Sequence, residues 1–304
     1  MHPLRHDWPR ASSWRTLKAA EYTLNSRRLI HECTRSVDGT RIGITRIGSG
    51  PPLVFVHGSL SQGSNWLLVA RHLAHDYTCY LMDRRGHGVS DFGDHRYSID
   101  REYDDVLAVL SRAGDNATLI GHSFGAICCL GAATLTNLPH LVLYEPPLPL
   151  HGLIAGRNLA PYCHAMRDGR FDDALEIGLR EFIRLPHDHV ESIRATTAWS
   201  RLASLMSAWP RELEAMDSLG DNVEAYAAIG CPTLLVSGSR SPKHPFRNAV
   251  AALCRSLPHA CAVDIAGHGH LGLRSAPAVV AQEISRFLSG WSPPASGLNQ
   301  ARTA

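Results

Sequence analysis

Residues 117–135 read ATLIGHSFGAICCLGAATL. An apolar, strand-like run, Ala117 to Ile120, meets Gly121-His122-Ser123-Phe124-Gly125, and a train of small apolar residues follows. We read strand, sharp turn, helix. Gly121 and Gly125 let two backbones approach closely at the turn, so Ser123 stands exposed between them. It also sits at a helix N-terminus, where amide N–H groups and the helix dipole favour negative charge. A serine so placed is expected to be a nucleophile rather than an inert turn residue.

The chain repeats this architecture outward from the turn. "PLVFVHG" (52–58), "TCYLMD" (78–83), "LVLYE" (141–145), "TLLVSG" (233–238) and "CAVDIAG" (261–267) are short continuous apolar runs. Such runs suit strands buried on both faces of a parallel sheet. Between them lie helical patterns at 101–114, 246–257 and 276–288. In the first, Val106, Leu107 and Leu110 are expected on one face, with Gly114 as the stop. Residues 28–50 contain two strand-like runs about Asp38-Gly39, a hairpin signal. The expected class is therefore α/β, a mostly parallel sheet flanked by helices on both faces.

One segment breaks the rhythm. Residues 148–230 carry no buried-strand run, only helical patterns at 171–185, 189–209 and 211–219. An ordinary crossover needs only about a dozen residues, so an inserted helical cap is expected. The division is then a flexible leader (1–20), a core (21–147 and 231–291), a helical cap (148–230) and a flexible tail (292–304). Trp199, Leu202, Leu205, Met206 and Trp209 fall at helical spacings. Most are expected to pack on the main domain, and one or two to line a pocket.

Composition narrows the function. The chain has 304 residues, 19% of them charged, with a formal net charge of +2. The basic residues are scattered, which gives no footprint for nucleic acid or an acidic membrane. The eight cysteines show no metal-like pairing, and several lie in apolar runs as small buried hydrophobes. No signal peptide or membrane span is read. The expectation is a cytoplasmic protein, monomer or homodimer, whose partner is a small molecule, with no cofactor and no metal.

Three more stretches bear on chemistry. In "VFVHGSL" (54–60) a strand ends at His57-Gly58, and the N–H groups of Ser59 and Phe124 are expected to face a developing oxyanion. His57 is expected to be structural. In "DRRGHGVSD" (83–91) His87 is expected to fix its loop. "AGHGHLG" (266–272), after the last strand, offers His268 and His270 as bases for Ser123, and both are plausible by location.

Taken in order, "HG", "DRRGHGVSD", "GHSFG", a helical insert and a late "GHGH" resemble the α/β-hydrolase superfamily over about residues 28–290. The resemblance implies an eight-stranded sheet, a lid after strand six and a serine nucleophile followed by an acid and a histidine. The histidine closing the late motif is His270, with His268 as the fallback. The family's acid most often stands in a Gly-x-x-Asp turn after strand seven. Here that turn is Gly238-Ser239-Arg240-Ser241, without a carboxylate. Some members carry the acid after strand six, which points to Glu145. Pro146 and Pro147 are expected to hold Glu145 extended and to stop the strand. Asp264 is expected inside a strand, short of the rim, and Asp217 and Asp221 at the exit of the cap.

The expected function is a cofactor-free, esterase-like serine hydrolase of a small, largely apolar ester or acyl compound, using Ser123, His270 and Glu145. C–C bond hydrolysis and perhydrolysis use the same parts. A serine in place of aspartate argues against dehalogenase or epoxide hydrolase chemistry. A non-catalytic ligand-binding protein on this fold is the rival class, supported only by Ser241.

Overall fold

The computed structural model describes residues 28–93 and 96–290. The expected leader (1–20) and tail (292–304) lie outside the described residues.

Eight strands form one sheet: β1 (Ile30–Arg35), β2 (Arg41–Gly48), β3 (Pro52–Val56), β4 (Thr78–Met82), β5 (Thr118–His122), β6 (Leu141–Tyr144), β7 (Thr233–Gly238) and β8 (Ala260–Ile265). Their order is β1-β2-β4-β3-β5-β6-β7-β8. β2 is antiparallel to both neighbours, and every other pairing is parallel. The hairpin turns through Gly39, whose φ of 84° suits a residue without a Cβ.

The period-two alternation of strands divides the interior into two layers. Val54 and Val56 of β3 face one core cluster, and Leu53 and Phe55 face the other. β6 does the same with Leu141 and Leu143 against Val142 and Tyr144. This explains the continuous apolar runs, since neither face of these strands meets water. Helices cover both sides. α1 (Leu67–Leu73) joins one layer, and α2 (Ile99–Ala113) and α3 (Phe124–Ala133) join the other. Every residue of α3 is buried, which its small, uniformly apolar sequence allows. In α2 the buried apolar face is Val106, Val109 and Leu110. Leu107 is only partly buried there, one position off the expected stripe, because buried Glu102 and Asp105 set the helix rotation toward Arg84 and Arg85.

Between β6 and β7 the chain is helical: α4 (Leu159–Arg167), α5 (Phe171–Ile177), α6 (His187–Arg194), α7 (Ala198–Ala203) and α8 (Trp209–Ser218). The continuous helix expected over 189–209 is broken after α6 and again at a short 3-10 turn, Met206–Ala208. Trp199, Met206 and Trp209 of this segment join the same core cluster as Val54 and Leu143 of the sheet. Trp209 makes edge contacts with Tyr162 and Phe182, with ring centroids 5.6 and 5.5 Å apart. The chain closes with α9 (Asn248–Ser256), α10 (Gly272–Ser275) and α11 (Pro277–Leu288). All eight cysteines are free thiols. Among the described residues no helix is long and apolar enough to cross a membrane.

Candidate active site

The sheet reverses its winding at β3, whose successor β4 lies on one side and β5 on the other. The carboxyl ends of strands flanking such a switch point open a crevice for ligands. Ser59 follows β3 and Ser123 follows β5, so both stand at that crevice.

The turn at Ser123 is as tight as its glycines suggest. A Cβ on Gly121 would lie 2.6 Å from the Gly125 carbonyl oxygen, and one on Gly125 would lie 2.4 Å from the His57 carbonyl oxygen. The backbone of Ser123 takes φ 55° and ψ −128°. That conformation costs about 1–3 kcal/mol for a residue with a side chain. The turn after β3 abuts it, since a Cβ on Gly58 would come 2.7 Å from Ser123 Cβ. Phe124 is the first residue of α3, so its N–H has no partner within the helix.

His270 and Glu145 meet on the far side. The Nδ1–H of His270 donates to Glu145 Oε2 at 2.7 Å, and the second carboxylate oxygen accepts from the Gly238 N–H at 2.7 Å. Glu145 is wholly buried and His270 nearly so. Its ring is clamped: Phe246 stacks on it with centroids 3.9 Å apart and planes 20° apart. His122 Nε2–H donates to the His270 carbonyl at 2.9 Å, and the Tyr144 hydroxyl donates to the Gly269 carbonyl at 3.0 Å. Burial, followed by the proximity of His270, pushes the His122 imidazole well below its ordinary range.

Glu145 corrects one expectation. It is not extended but lies at φ 48°. Its N–H donates to the Val236 carbonyl, holding the residue to β7, while its carboxylate folds back to Gly238 and His270. These three bonds fix a conformation that Pro146 alone disfavours. His268 lies apart, hydrogen-bonded through Nδ1 to the Ser275 hydroxyl at 2.8 Å. Asp264 sits in β8 with Ser237 and Arg247. Asp217 of α8 accepts from the N–H groups of Ile154, Ala155 and Gly156. Ser241 is buried, and its hydroxyl has no hydrogen-bond partner among the described residues.

A cavity of about 390 Å³ joins these parts. Ser59, Ser123 and His270 lie on its wall beside apolar side chains of the insert, among them Phe182, Leu202 and Trp209.

Beneath the Ser59 turn lies a buried charged cluster that sequence reasoning missed. Arg84 is fully buried and donates to Glu102 Oε1 at 3.1 Å, to Glu212 Oε1 and, through Nε, to the His57 carbonyl at 2.9 Å. Its guanidinium also lies over the Phe124 ring, 4.7 Å from the centroid. His57 Nδ1–H donates to the Gly58 carbonyl, and its Nε2 accepts the Arg84 backbone N–H. Burial would raise the Glu212 carboxyl, but Arg84 and His87 beside it hold it below the usual carboxylate range. Burial pushes His57 well down, with the Arg84 charge adding to the effect. The doublet Arg84-Arg85 at a strand end was the available signal. Glu212 had none, since a glutamate on an amphipathic helix ordinarily faces water.

The model of the alpha/beta hydrolase family matches residues 53–283. The chain belongs to that family. A structure of an alpha/beta hydrolase from Sphaerobacter thermophilus is similar to this hydrolase with a TM-score of 0.76 and 29% identity, covering 84% of this chain and 100% of that one. A 2-(acetamidomethylene)succinate hydrolase of Mesorhizobium japonicum is 28% identical over 270 residues, 85% of this chain and 96% of the relative. A pimeloyl-[acyl-carrier protein] methyl ester esterase of Xanthomonas campestris is 28% identical over 267 residues, 80% of this chain and 97% of the relative.

Proposed function

We propose that this hydrolase cleaves carboxylic esters of small, largely apolar acyl compounds through Ser123, His270 and Glu145. One observation carries the reading. A buried carboxylate binds the Nδ1–H of His270, whose ring and the strained Ser123 open onto the same apolar cavity. With Nδ1 carrying a proton for Glu145, Nε2 is left as the base.

His270 takes the Ser123 hydroxyl proton as the oxygen attacks the ester carbonyl carbon. The carbonyl electrons move onto oxygen, where the N–H groups of Ser59 and Phe124 hold the charge. Each such donor is worth about 10²–10³ in kcat. Collapse expels the alcohol, which His270 protonates, and leaves an acyl-serine. A water molecule deprotonated by His270 then attacks the acyl carbon, the bond to Ser123 breaks, the serine oxygen takes the proton back from His270, and the acid is released. Glu145 stays ionised throughout and stabilises the imidazolium. The pimeloyl ester relative acts on a methyl ester by name, which supports an ester as the bond.

A second reading uses the same residues. The Mesorhizobium relative is named for a substrate bearing an acetamido group, which favours cleavage of an acyl–nitrogen bond with an amine leaving.

A fluorophosphonate probe with a graded p-nitrophenyl ester panel tests the proposal. Ser123 is expected to label in the native protein, and labelling to vanish in Ser123→Ala and His270→Ala. A folded protein that neither labels nor turns over any ester overturns it. Turnover of N-acyl amides in preference to matched esters selects the second reading.

A further inference from the structure

Apart from Ser59, His122, Ser123 and His270 at the candidate site, most of the cavity wall is apolar. The remaining polar residues on it are Ser61, Asn65, Arg274 and Ser275. They belong to three separate parts of the fold: the turn after β3, the 3-10 turn before α1, and α10, shortly beyond His270. The insert adds a second guanidinium from α7, since Arg201 Nη2 donates to Asn65 Oδ1 at 3.0 Å. Asn65 is itself fixed by its Nδ2–H, which donates to the Ser61 hydroxyl at 2.6 Å.

No carboxylate lines this cavity among the described residues. Neither Arg201 nor Arg274 forms an ion pair with one among the described residues. Three arginines of the segment between β6 and β7 are paired, Arg170 with Asp168 and Asp173, Arg180 with Glu176, and Arg194 with Glu176 and Glu191; Arg201 is not among them. Burial and then the neighbouring Arg201 charge hold the Arg274 guanidinium below its ordinary range. Both side chains are exposed, and two neighbouring cations without a counter-ion repel, the more so where one is partly shielded from water. An anion set against them removes that cost and gains charge-assisted hydrogen bonds from a planar fork that matches carboxylate and phosphate alike.

We propose that Arg274, backed by Arg201 and Asn65, binds an anionic group, carboxylate or phosphate, carried by the substrate on the same molecule as the scissile acyl bond. The substrate class is then an amphiphile, an apolar chain with one negatively charged end. This rests on the reading of Ser123 and His270 as the reacting pair. The apolar wall holds the chain, and the arginine pair selects the charged end. Neutral esters of equal length fit the apolar wall but leave the cations unpaired.

The test uses the full chain and matched methyl esters: a straight-chain dicarboxylic acid monomethyl ester, its dimethyl ester, and the ω-phosphono analogue of the monoester. The wild type is expected to favour the charged esters in kcat/KM by about tenfold or more, the gain residing in KM. Preference for the carboxylate over the phosphonate, or the reverse, names the anion. Arg274→Gln is expected to reduce the charged-to-neutral ratio about tenfold, Arg274→Lys to restore part of it, and Arg201→Gln to reduce it less. Added salt at about 0.5 M should erode the wild-type preference, as screening of partly exposed charges requires. A ratio near one in the wild type, or one that Arg274→Gln does not change, overturns the anion site even while fluorophosphonate still labels Ser123. If nothing labels and no ester turns over, the reacting-pair reading falls instead. Calorimetric titration with the free dicarboxylate then decides the anion site: Arg274-dependent binding supports it, and no binding overturns it.

Discussion

Four non-glycine residues among the described ones take positive φ: Leu60, Ser123, Glu145 and Arg184. The first three belong to the loops after β3, β5 and β6, all at the candidate site. Strain of this kind persists only where surrounding bonds over-determine it. Glu145 shows how, held by Val236, Gly238 and His270. Glu145→Gln keeps the shape but no longer compensates an imidazolium, and it can present N–H to Nδ1 and favour the wrong tautomer. We expect kcat to fall about 10³–10⁴-fold with the thermal midpoint little changed, by analogy with loss of the carboxylate in a serine triad. Stopped-flow turnover beside calorimetry checks this, and a drop of less than tenfold would mean that Glu145 only holds a loop. A carboxylate after β6 is legible because "LVLYEPP" is visibly a strand end. Its φ is not legible, since Pro146 argues for the opposite conformation.

α3 and α8 carry the site at the next scale up. α3 can approach the turn after β3 only because Gly125 has no Cβ, for one would overlap the carbonyl oxygens of both Val56 and His57. Gly125→Ala is therefore expected to push Phe124 N–H away from Ser59. Overpacking of this sort costs about 1–3 kcal/mol, and ester turnover should fall at least about tenfold, read by urea midpoint and kcat. α8 is a strut between the helical segment after β6 and the loop after β4. Its Glu212 is fully buried against Arg84 and His87, beneath the loop of Ser59. Removing one partner of a buried ion pair leaves the other charge uncompensated, at about 3–5 kcal/mol. Arg84 keeps Glu102 as a partner, so Glu212→Ala should lose up to that much in chemical denaturation, and Glu212→Gln, which retains an acceptor, should lose less. Equal midpoints for Glu212→Ala and the wild type would show that α8 is not a strut. The strand and core-helix patterns of this chain were readable because burial on a sheet enforces a period. The helices between β6 and β7 were readable in kind but not in extent, because the helical spacing of apolar residues continues across breaks such as that before Met206.

Across the molecule, two neutral histidines are buried beneath the site. His57 and His122 both have folded pKa values depressed by burial. Between those values and an unfolded value of about 6.5 the unfolded chain holds more protons, so stability rises with pH. Their contribution is complete above about pH 6.5 and is lost as pH falls through the folded values. Each histidine adds a slope of up to about 1.4 kcal/mol per pH unit in that window. Urea unfolding from pH 7.5 to 5.5 measures it. His122→Gln retains a donor for the His270 carbonyl and should flatten the slope by one histidine's share. An unchanged slope would mean that His122 takes up its proton in the folded protein.

The sequence by itself determined the α/β class, the strand order of the motifs, the strand–turn–helix setting of Ser123 and the absence of an acid after β7. Each of these rests on local chemistry: burial on both sheet faces writes apolar runs, and a sharp turn demands glycine. Only the tertiary structure decided that Glu145 reaches His270, that Arg84 and Glu212 meet under the loop of Ser59, and that Arg274 lies on a cavity wall without a carboxylate while Arg201 bonds Asn65 of the same wall. Those contacts join residues far apart in the chain, and a side chain's hydrogen-bond partner is fixed by packing in space rather than by its neighbours in sequence.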